Sequence, residues 1–404
     1  MAEARDARAR LYALFAVNYF AQGLAGLAYE SVDYLLKDRL RLGSAAAALF
    51  VTWMTLPLTL KPLFGLVSDG LPWNGRRRVP HLIAACGLSS AAWLALALSR
   101  GYDYKTTLAW LTIVNVGTVL ADAACEGLMI ERGREIESTG PFQAVKVGML
   151  YVSLVVSGLG GGWLAARADY RMVFLIAALL PLPAAAVALG VDDEVVVGGA
   201  RAAAARGFSA LRQAASRPGF WLISGSVFLW SFSPFLGIAE FYYQTRALKL
   251  SPLFIGALTT ASGAAGALAA SAFARASADR SLSPRLARLS IPASAVLSAL
   301  YLFYVGPRSA MALAVIFGAV GVAFRLAWID LCARACPPGA EAATFAAFMA
   351  VFNLAAAASN MAGGALYDRL AAARGDYFAM AALGLAGGAC SLAAWPLARR
   401  AAVL

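Results

Sequence analysis

Two carboxylates four residues apart, Asp122 and Glu126, lie within the apolar stretch Thr106–Ile130. Residues at that spacing share one face of a helix. Two like charges in apolar surroundings favour a bound proton unless a cation neutralises them, so the pair is a candidate for proton uptake. Lys61 and Lys146, in neighbouring apolar stretches, are the available cations. The alternative is a structural salt-bridge cluster made of the same four side chains.

A second candidate site contains Arg325 and Trp328, which are one helical turn apart. A guanidinium can hold a carboxylate through two parallel hydrogen bonds, and an indole can stack on a planar ring. Both contacts suit a planar organic anion. Arg325 could instead pair with Asp330, and the sequence leaves that alternative open.

Three more polar side chains are candidate ligand contacts. Asn18 and Gln22 share a face of the first apolar stretch, although such amides also hydrogen-bond across helices. Glu240 is followed closely by two tyrosines and a glutamine near a helix end. It could line a cavity or anchor its helix at the membrane surface.

Four charged residues beside two basic loops are candidates for a cytoplasmic gate: Asp69, Arg76, Arg77 and Asp279. Asp69 can accept hydrogen bonds from backbone N–H groups at the N-terminus of another helix, a contact that forms in one conformation only. The arginine loops are predicted to bind anionic lipids. A charged turn without a gating role is the alternative.

The sequence lacks the arrangements of residues that common enzyme and metal sites require. The sole histidine, His81, begins a helix among basic residues, so no Ser-His-Asp or Cys-His arrangement can be assembled. Cys332 and Cys336 are four apart without further ligands, so we predict no metal site and no cofactor. The 34 lysines and arginines are scattered through loops, and we predict no nucleic-acid partner.

The composition shows which elements position these side chains. Of 404 residues 61% are hydrophobic and 14% charged, and the mean hydropathy is +0.70. A membrane-spanning helix takes about 20 apolar residues, so the chain has enough for about twelve. The apolar runs are long and unbroken, which excludes a membrane β-barrel. We predict an all-α membrane protein with the helices Leu11–Leu36, Ala45–Val67, Val79–Ser99, Thr106–Ile130, Pro141–Ala166, Met172–Val191, Phe220–Thr245, Pro252–Ala274, Leu289–Val305, Ala310–Cys332, Ala342–Leu366 and Tyr377–Leu397.

The chain repeats itself at an offset close to 208 residues. Leu40-Arg41-Leu42 recurs as Leu248-Lys249-Leu250, and Asp122 recurs as Asp330. Even numbers of helices in each half make the repeats parallel. We therefore predict an N-terminal six-helix half (1–191), a cytoplasmic linker (192–219) and a C-terminal six-helix half (220–404).

The positions of the charged residues indicate the membrane topology and which helices face a polar interior. With the N-terminus inside, 19 lysines and arginines fall in inner segments and 12 in outer ones, so both termini are predicted to be cytoplasmic. The Ala-rich, Arg-over-Lys composition is typical of a high-GC bacterium, and we expect the bacterial inner membrane. Nine charges lie inside predicted helices, none of them in the third, sixth, ninth or twelfth. Each costs about 2.5–3.5 kcal/mol to insert, so selected helices are predicted to line a polar cavity.

Two segments carry a family resemblance. Lys61-Pro62-Leu63-Phe64-Gly65-Leu66-Val67-Ser68-Asp69, which leads into Arg76-Arg77-Arg78, resembles the loop between helices two and three of the folate-biopterin transporter family, a branch of the major facilitator superfamily. Ala121–Arg132 is similar to the fourth-helix pattern of that family. The resemblance covers residues 11 to 166. It implies two six-helix halves and a cavity lined by helices one, four, seven and ten.

These observations together predict a secondary active transporter that works by alternating access. Its predicted substrate is a folate- or pteridine-like or other planar organic anion, driven by protons through Asp122 and Glu126. The predicted substrate-binding residues are Asn18, Gln22, Lys61, Asp122, Glu126, Lys146, Glu240, Arg325 and Trp328. One alternative is a muropeptide permease-like importer, which shares the charged positions of helices two and four. Another is a non-transporting assembly or pigment-handling protein with the same fold.

Overall fold

The structure is a computed structural model that describes residues 2–70, 73, 75–76, 78–135, 139–193, 209, 212–213, 215–276, 279, 281–336 and 341–400. Within these ranges the chain is helical almost throughout, and it has no β-structure beyond one isolated bridge between Trp73 and Arg76. Eleven helices of this described part are long and apolar enough to cross a membrane. The predicted all-α membrane fold is confirmed.

The first six helices follow the predicted apolar stretches, and three of them are interrupted. Helices 2 and 6 break next to Pro62 and Pro181, where a proline lacks the N–H that a continuous helix needs. The bounds are helix 1, Ala2–Leu24 and Gly26–Tyr34 with a π-helical turn at Leu35–Arg39; helix 2, Ser44–Thr59 and Lys61–Gly70; helix 3, Val79–Leu98; helix 4, Tyr104–Glu135; helix 5, Thr139–Arg167; and helix 6, Tyr170–Leu179 and Leu182–Ala188.

In the second six, helix 7 consists of two pieces, Pro218–Ser231 and Ile238–Arg246, neither long enough to span a membrane alone. Residues 232–237, which contain Pro234 and Gly237, form the helix-7 break. The others are helix 8, Pro252–Ala276; helix 9, Leu282–Ala299 with a 3-10 turn at Leu300–Phe303; helix 10, Pro307–Ile316 and Val322–Arg334 around a π-helical turn at Phe317–Gly321; helix 11, Glu341–Arg374; and helix 12, Asp376–Ala393 and Trp395–Arg400.

The chain forms two compact units, each with its own core. Unit 1 comprises Met1–Val32 and Met54–Phe208, and unit 2 comprises Asp33–Trp53 and Ser209–Leu404. The functional boundaries predicted from the sequence, 1–191, 192–219 and 220–404, stay a prediction, and this division groups residues 33–53 with the C-terminal part of the chain. Residues 33–53, the end of helix 1 and the start of helix 2, belong to unit 2 because their contacts are with helices 7 and 11, as described below. We call them the 33–53 segment.

The internal repeat is visible in individual hydrogen bonds. Leu40 N–H donates to Leu35 O (2.9 Å), and Leu248 N–H donates to Tyr243 O (3.1 Å), each bond 208 residues from its counterpart. Between these bonds and the next helix, Arg41 (φ 52°) and Lys249 (φ 50°) both adopt the left-handed conformation. The two tripeptides recognised in the sequence are therefore the same helix-ending turn.

Small residues in the repeat permit close contact with the two interrupted helices. A Cβ on Gly161 would lie 3.4 Å from Gly26 O, just after the interruption of helix 1. A Cβ on Gly363 would lie 2.0 Å from Pro234 O in the helix-7 break. Gly26 and Pro234 are again 208 residues apart. Glycine at position 363 is thus required for helix 11 to pack against the break.

We expect Gly363→Ala to lower the stability of the detergent-solubilised protein, because the added methyl group must displace the backbone of the helix-7 break. Overpacking of this kind costs about 1–3 kcal/mol. The matched control is Gly87→Ala, since Gly87 is in the interior of helix 3 with no atom within 4 Å of a Cβ there. Thermal unfolding would measure both, and equal melting temperatures for the two variants would contradict the packing argument.

Candidate functional site

Unit 1 contains a cluster of four charged side chains, Lys61, Asp122, Glu126 and Lys146, which we call the charged cluster. Lys61 Nζ lies 2.6 Å from Asp122 Oδ2 and 2.7 Å from Glu126 Oε2. Lys146 Nζ makes an ion pair with Glu126 Oε1. The helix-4 carboxylates thus share a face, as their spacing predicts, and the two predicted cations are both within ion-pair distance.

Four helices converge on the charged cluster. Lys61 is the first residue after the interruption of helix 2, which leaves its side chain free of the preceding helical turn. Helix 4 supplies both acids and helix 5 supplies Lys146. Helix 1 supplies Tyr19, whose ring centroid is 4.9 Å from Lys146 Nζ. Residues from helices 1, 2, 4 and 5 therefore form one polar site in a mainly apolar unit.

The charged cluster is electrically balanced, with two ammonium groups and two carboxylates. Proton uptake by the carboxylate pair was predicted on the condition that no cation neutralises it, and here both lysines do. Because each carboxylate gains a favourable ion pair when ionised, the reason for a shared proton is removed. The four side chains still keep 18–29% of their surface exposed, so a ligand could reach them.

On helix 1, which contacts the charged cluster through Tyr19, and on Asp122 itself, several buried polar atoms have no hydrogen-bond partner among the described residues. They are Asn18 Nδ2, the Tyr19 hydroxyl, Gln22 Nε2 and Asp122 Oδ1. Asn18 and Tyr19 keep only 2% and 1% of their surface exposed. A buried polar group without a partner costs about 1–3 kcal/mol, so native proteins usually supply one, or a ligand does. This set contains donors and an acceptor on helices 1 and 4.

Unit 2 places Glu240 in an aromatic pocket beside the helix-7 break. The Tyr301 hydroxyl donates a hydrogen bond to Glu240 Oε1 (3.0 Å). Phe235 lies against Tyr301, with ring centroids 4.5 Å apart. Tyr304 is part of the same network, since its hydroxyl accepts a hydrogen bond from Gln244 Nε2 (2.7 Å). Tyrosine hydroxyls from the end of helix 9 therefore surround the Glu240 carboxylate within unit 2.

Helix 11 satisfies the backbone that the helix-7 break leaves open. Asn360 Oδ1 accepts a hydrogen bond from Ile238 N–H (3.1 Å), the first N–H of the second helix-7 piece. Ser359 Oγ accepts one from Ser233 N–H (2.9 Å). Gly237 adopts φ 74°, and a Cβ there would lie 2.9 Å from Asn360 Oδ1. Specific side chains of helix 11 therefore stabilise the helix-7 break.

The structure corrects the prediction for Trp328. Its indole is fully buried in the core of unit 2, and Nε1 donates a hydrogen bond to Ser290 Oγ (2.9 Å). With its polar atom already paired and its faces packed, it cannot stack on a ligand in this conformation. Arg325 lies over the Phe352 ring, 5.6 Å from the centroid. Its alternative partner Asp330 makes an ion pair with Arg334 (2.6 Å).

The four predicted gate residues are described to different extents. Asp69 ends helix 2, but its side chain, like the whole of Arg77, lies outside the described residues. Asp279 is exposed and accepts hydrogen bonds from the hydroxyl (2.6 Å) and N–H (2.8 Å) of Ser281, which hold the pKa of its carboxyl below its usual value. Arg76 is exposed and lines a cavity of about 370 Å³ together with Trp73 and five other residues, Val79, Pro80, Ile83, Ala84 and Leu189.

The sequence analysis missed the carboxylate at the N-terminus of helix 3. It comes from Asp193, whose Oδ2 accepts hydrogen bonds from Arg78 N–H (2.7 Å) and Val79 N–H (2.8 Å). The buried Arg78 side chain makes an ion pair with Glu131 (2.7 Å). The signal was present, because Asp193 follows helix 6 at the edge of an apolar stretch and Glu131-Arg132 ends the fourth-helix pattern. Spacing alone could not pair them.

A second missed feature attaches the 33–53 segment to helices 7 and 11. Asp368 Oδ2 accepts a hydrogen bond from Ala45 N–H (2.8 Å), and Arg246 lies 3.8 Å from Asp368 Oδ1. Asn360 Nδ2 donates to Ala48 O (3.2 Å). The Tyr242 hydroxyl donates to Leu42 O (2.5 Å). A carboxylate, an amide and a phenol thus hold the turn between helices 1 and 2.

Comparisons with known proteins agree with this architecture. The family model described as the BT1 family matches residues 22–302 and 312–399. The folate-biopterin transporter of Synechocystis sp. (strain ATCC 27184 / PCC 6803 / Kazusa) is 28% identical over 368 residues, which cover 86% of this chain and 73% of that protein. Probable folate-biopterin transporter 4 of Arabidopsis thaliana is 31% identical over 173 residues, which cover 42% of this chain and 35% of that protein.

Among solved structures, a D-xylose–proton symporter superposes with a TM-score of 0.69 at 14% sequence identity, with 95% of this chain and 96% of that chain covered. At that identity the likeness shows the fold, which is the major facilitator type. The relatives are named as transporters rather than enzymes. Because the family model matches most of the chain, this protein is a multi-pass membrane transporter that belongs to the BT1 family.

Proposed function

We propose that the chain is a secondary active transporter that works by alternating access and moves a folate- or pteridine-like planar organic anion, with protons as the driving ion. The observation that carries the substrate assignment is the set of unpartnered polar atoms beside the charged cluster. A pteridine has ring N–H and amine donors next to ring acceptors along one edge. Asn18, Gln22 and Tyr19 complement its acceptors, and Asp122 complements its donors.

The charged cluster limits how the ligand binds. Asp122 Oδ2 is already paired with Lys61, and only Oδ1 lacks a partner. The carboxylate therefore accepts one hydrogen bond from the ring rather than two. Arg325, which belongs to unit 2, remains by itself a proposed substrate-binding residue. The named function of the folate-biopterin relatives supports the same substrate class.

The membrane context is proposed from charge. The excess of lysines and arginines in the predicted inner segments supports cytoplasmic termini, and the Ala-rich, Arg-over-Lys composition supports a bacterial inner membrane. Asp69, Arg76, Arg77 and Asp279 then lie at the cytoplasmic surface as the proposed gate. The exposed Arg76 beside an apolar cavity suits an anionic lipid, with the phosphate at the guanidinium and an acyl chain against Val79 and Leu189.

Uptake into proteoliposomes tests the substrate class. Purified full-length protein would be offered labelled folic acid, biopterin and a muropeptide under an imposed proton gradient. Accumulation of folic acid or biopterin is expected. Accumulation of the muropeptide alone would favour the permease-like importer, and no uptake or binding of any of them by folded protein would favour a non-transporting role.

We expect the combined variant Asn18→Leu, Gln22→Leu to weaken folic acid binding about 30-fold or more, since each of the two lost hydrogen bonds leaves a ligand group buried without a partner, at about 1–3 kcal/mol. The control is Asn115→Leu, because the equally buried Asn115 already donates to Leu111 O in its own helix. Calorimetry or ligand-induced thermal shift would measure both. Unchanged affinity in the double variant would remove the helix-1 amides from the site.

The balance of the charged cluster gives a stability prediction. Lys146→Gln should lower the melting temperature, because Glu126 then carries a charge with one cation fewer, a loss of about 1–3 kcal/mol. Adding Glu126→Gln should restore most of it, since Lys61 and Asp122 remain a neutral pair. Lys105→Gln, an exposed lysine of helix 4, is the control. A double variant less stable than Lys146→Gln alone would contradict charge balance.

Alternating access requires that some contacts form in one conformation only. We propose that the contacts of the 33–53 segment with helices 7 and 11 are of this kind. Asp368→Ala removes the carboxylate at the N-terminus of helix 2, at a cost of about 0.5–2 kcal/mol, so backbone amides 44–48 should exchange hydrogen about 2- to 30-fold faster. Asp103→Ala is matched, because Asp103 caps its own helix through Thr106 N–H. Hydrogen-exchange mass spectrometry would show the difference, and unchanged exchange would contradict the proposal.

A further inference from the structure

Several acidic residues described inside the helices of unit 2 have a cation, whereas Glu240, Asp33 and Asp376 make no ion pair with a described lysine or arginine. Asp330 pairs with Arg334, and Asp368 pairs with Arg246. Glu240 makes no ion pair with any described lysine or arginine, and it accepts a hydrogen bond from a neutral donor, the Tyr301 hydroxyl. A carboxylate in apolar surroundings has to find a cation, gain hydrogen bonds or take up a proton.

The titratable groups around Glu240 are phenols. Tyr301 and Tyr304 come from the end of helix 9 and contact the carboxylate from one side. On its own helix, Arg246 is six residues on, about 9 Å along the axis, and is paired with Asp368 of helix 11. Helix 12 brings Asp376, which accepts a hydrogen bond from Tyr367. Helix 1, whose Tyr34 packs on Phe241, brings a further acid, Asp33. No lysine or arginine described on these elements pairs with Glu240.

Glu240 lies between the helix-7 break and a contact with the 33–53 segment. It lies in the first turn of the second helix-7 piece, three residues after Gly237. Two residues later, Tyr242 holds Leu42 O of the 33–53 segment. The positive end of the helix dipole favours an ionised Glu240, but this attraction is smaller than the cost of desolvating a carboxylate. In the arrangement seen here the neutral acid is the better fit.

We propose that Glu240 is the proton-binding site of the transporter instead of the substrate contact predicted from the sequence, whereas the charged cluster of unit 1 serves the substrate. A protonated Glu240 keeps the second helix-7 piece seated among Tyr301, Tyr304 and Phe235. Loss of the proton leaves an anion that is better solvated by water than by this pocket, and so favours displacement of the piece and of its contact with Leu42. The assignment depends on the proton coupling in the proposed function.

Transport assays on full-length protein in proteoliposomes test this assignment with labelled folic acid as the probe. Glu240→Gln mimics the neutral acid, so exchange of internal for external folic acid should remain within about twofold of the wild type. Accumulation driven by a proton gradient should be lost, as should the pH change that a trapped pH-sensitive dye reports when folic acid is added. Glu240→Asp should retain both coupled readouts.

Glu126→Gln is the comparison variant, since the proposal gives that carboxylate to the substrate site. It should weaken exchange and accumulation together. Full proton-driven accumulation by Glu240→Gln would overturn the inference, and so would loss of exchange in a Glu240→Gln protein that elutes and melts like the wild type. If the wild type neither exchanges nor accumulates folic acid, the proposed substrate fails instead, and the same dye assay with a transported probe still tests Glu240.

Discussion

A charged side chain inside a membrane has to be paired, hydrogen-bonded or neutral, because no bulk water is available to solvate it. In unit 1 two lysines and two carboxylates meet that requirement together, with Nζ to oxygen distances of 2.6 and 2.7 Å for Lys61. In unit 2 Asp330 and Asp368 each have an arginine. Glu240, in contrast, has tyrosine hydroxyls as its neighbours instead of an arginine.

The interrupted helices depend on a related requirement for the backbone. An interruption frees N–H and C=O groups that lipid cannot satisfy, so side chains from a neighbouring helix have to do so. Helix 11 supplies Ser359 and Asn360 to the helix-7 break, and Gly363 allows the two backbones to approach. Because Asn360 also donates to Ala48 O, one amide connects the break with the 33–53 segment. The helix-7 break and the contact with the 33–53 segment thus both depend on Asn360.

From these two requirements we propose that substrate binding and proton binding use different residues. The charged cluster carries no net charge and borders the unpartnered polar atoms of helices 1 and 4, which suits recognition of a neutral, planar ring edge. Glu240 adjoins a helix break and has no cation, which suits a group that gains and loses a proton. The ring edge of the substrate and the proton would then bind at different residues of the chain.

The sequence by itself determined the elements and much of their chemistry. Apolar run lengths predicted the helices, the spacing of Asp122 and Glu126 predicted a shared face, and the offset of 208 residues predicted turns that the structure forms at Arg41 and Lys249. These properties are local, because the helix period decides which residues of one helix lie together. The family resemblance of residues 61–78 and 121–132 came from the same local patterns.

Tertiary structure decided which residues of different helices meet. Lys61 and Lys146 were both candidates, but only packing showed that both reach the carboxylates. Packing also placed Trp328 in the core, paired Asp193 with the start of helix 3, surrounded Glu240 with tyrosines and joined the 33–53 segment to Asp368. In a membrane helix most faces are apolar, so the sequence contains little information about which face turns toward which neighbour. That orientation depends on the packing of the whole chain.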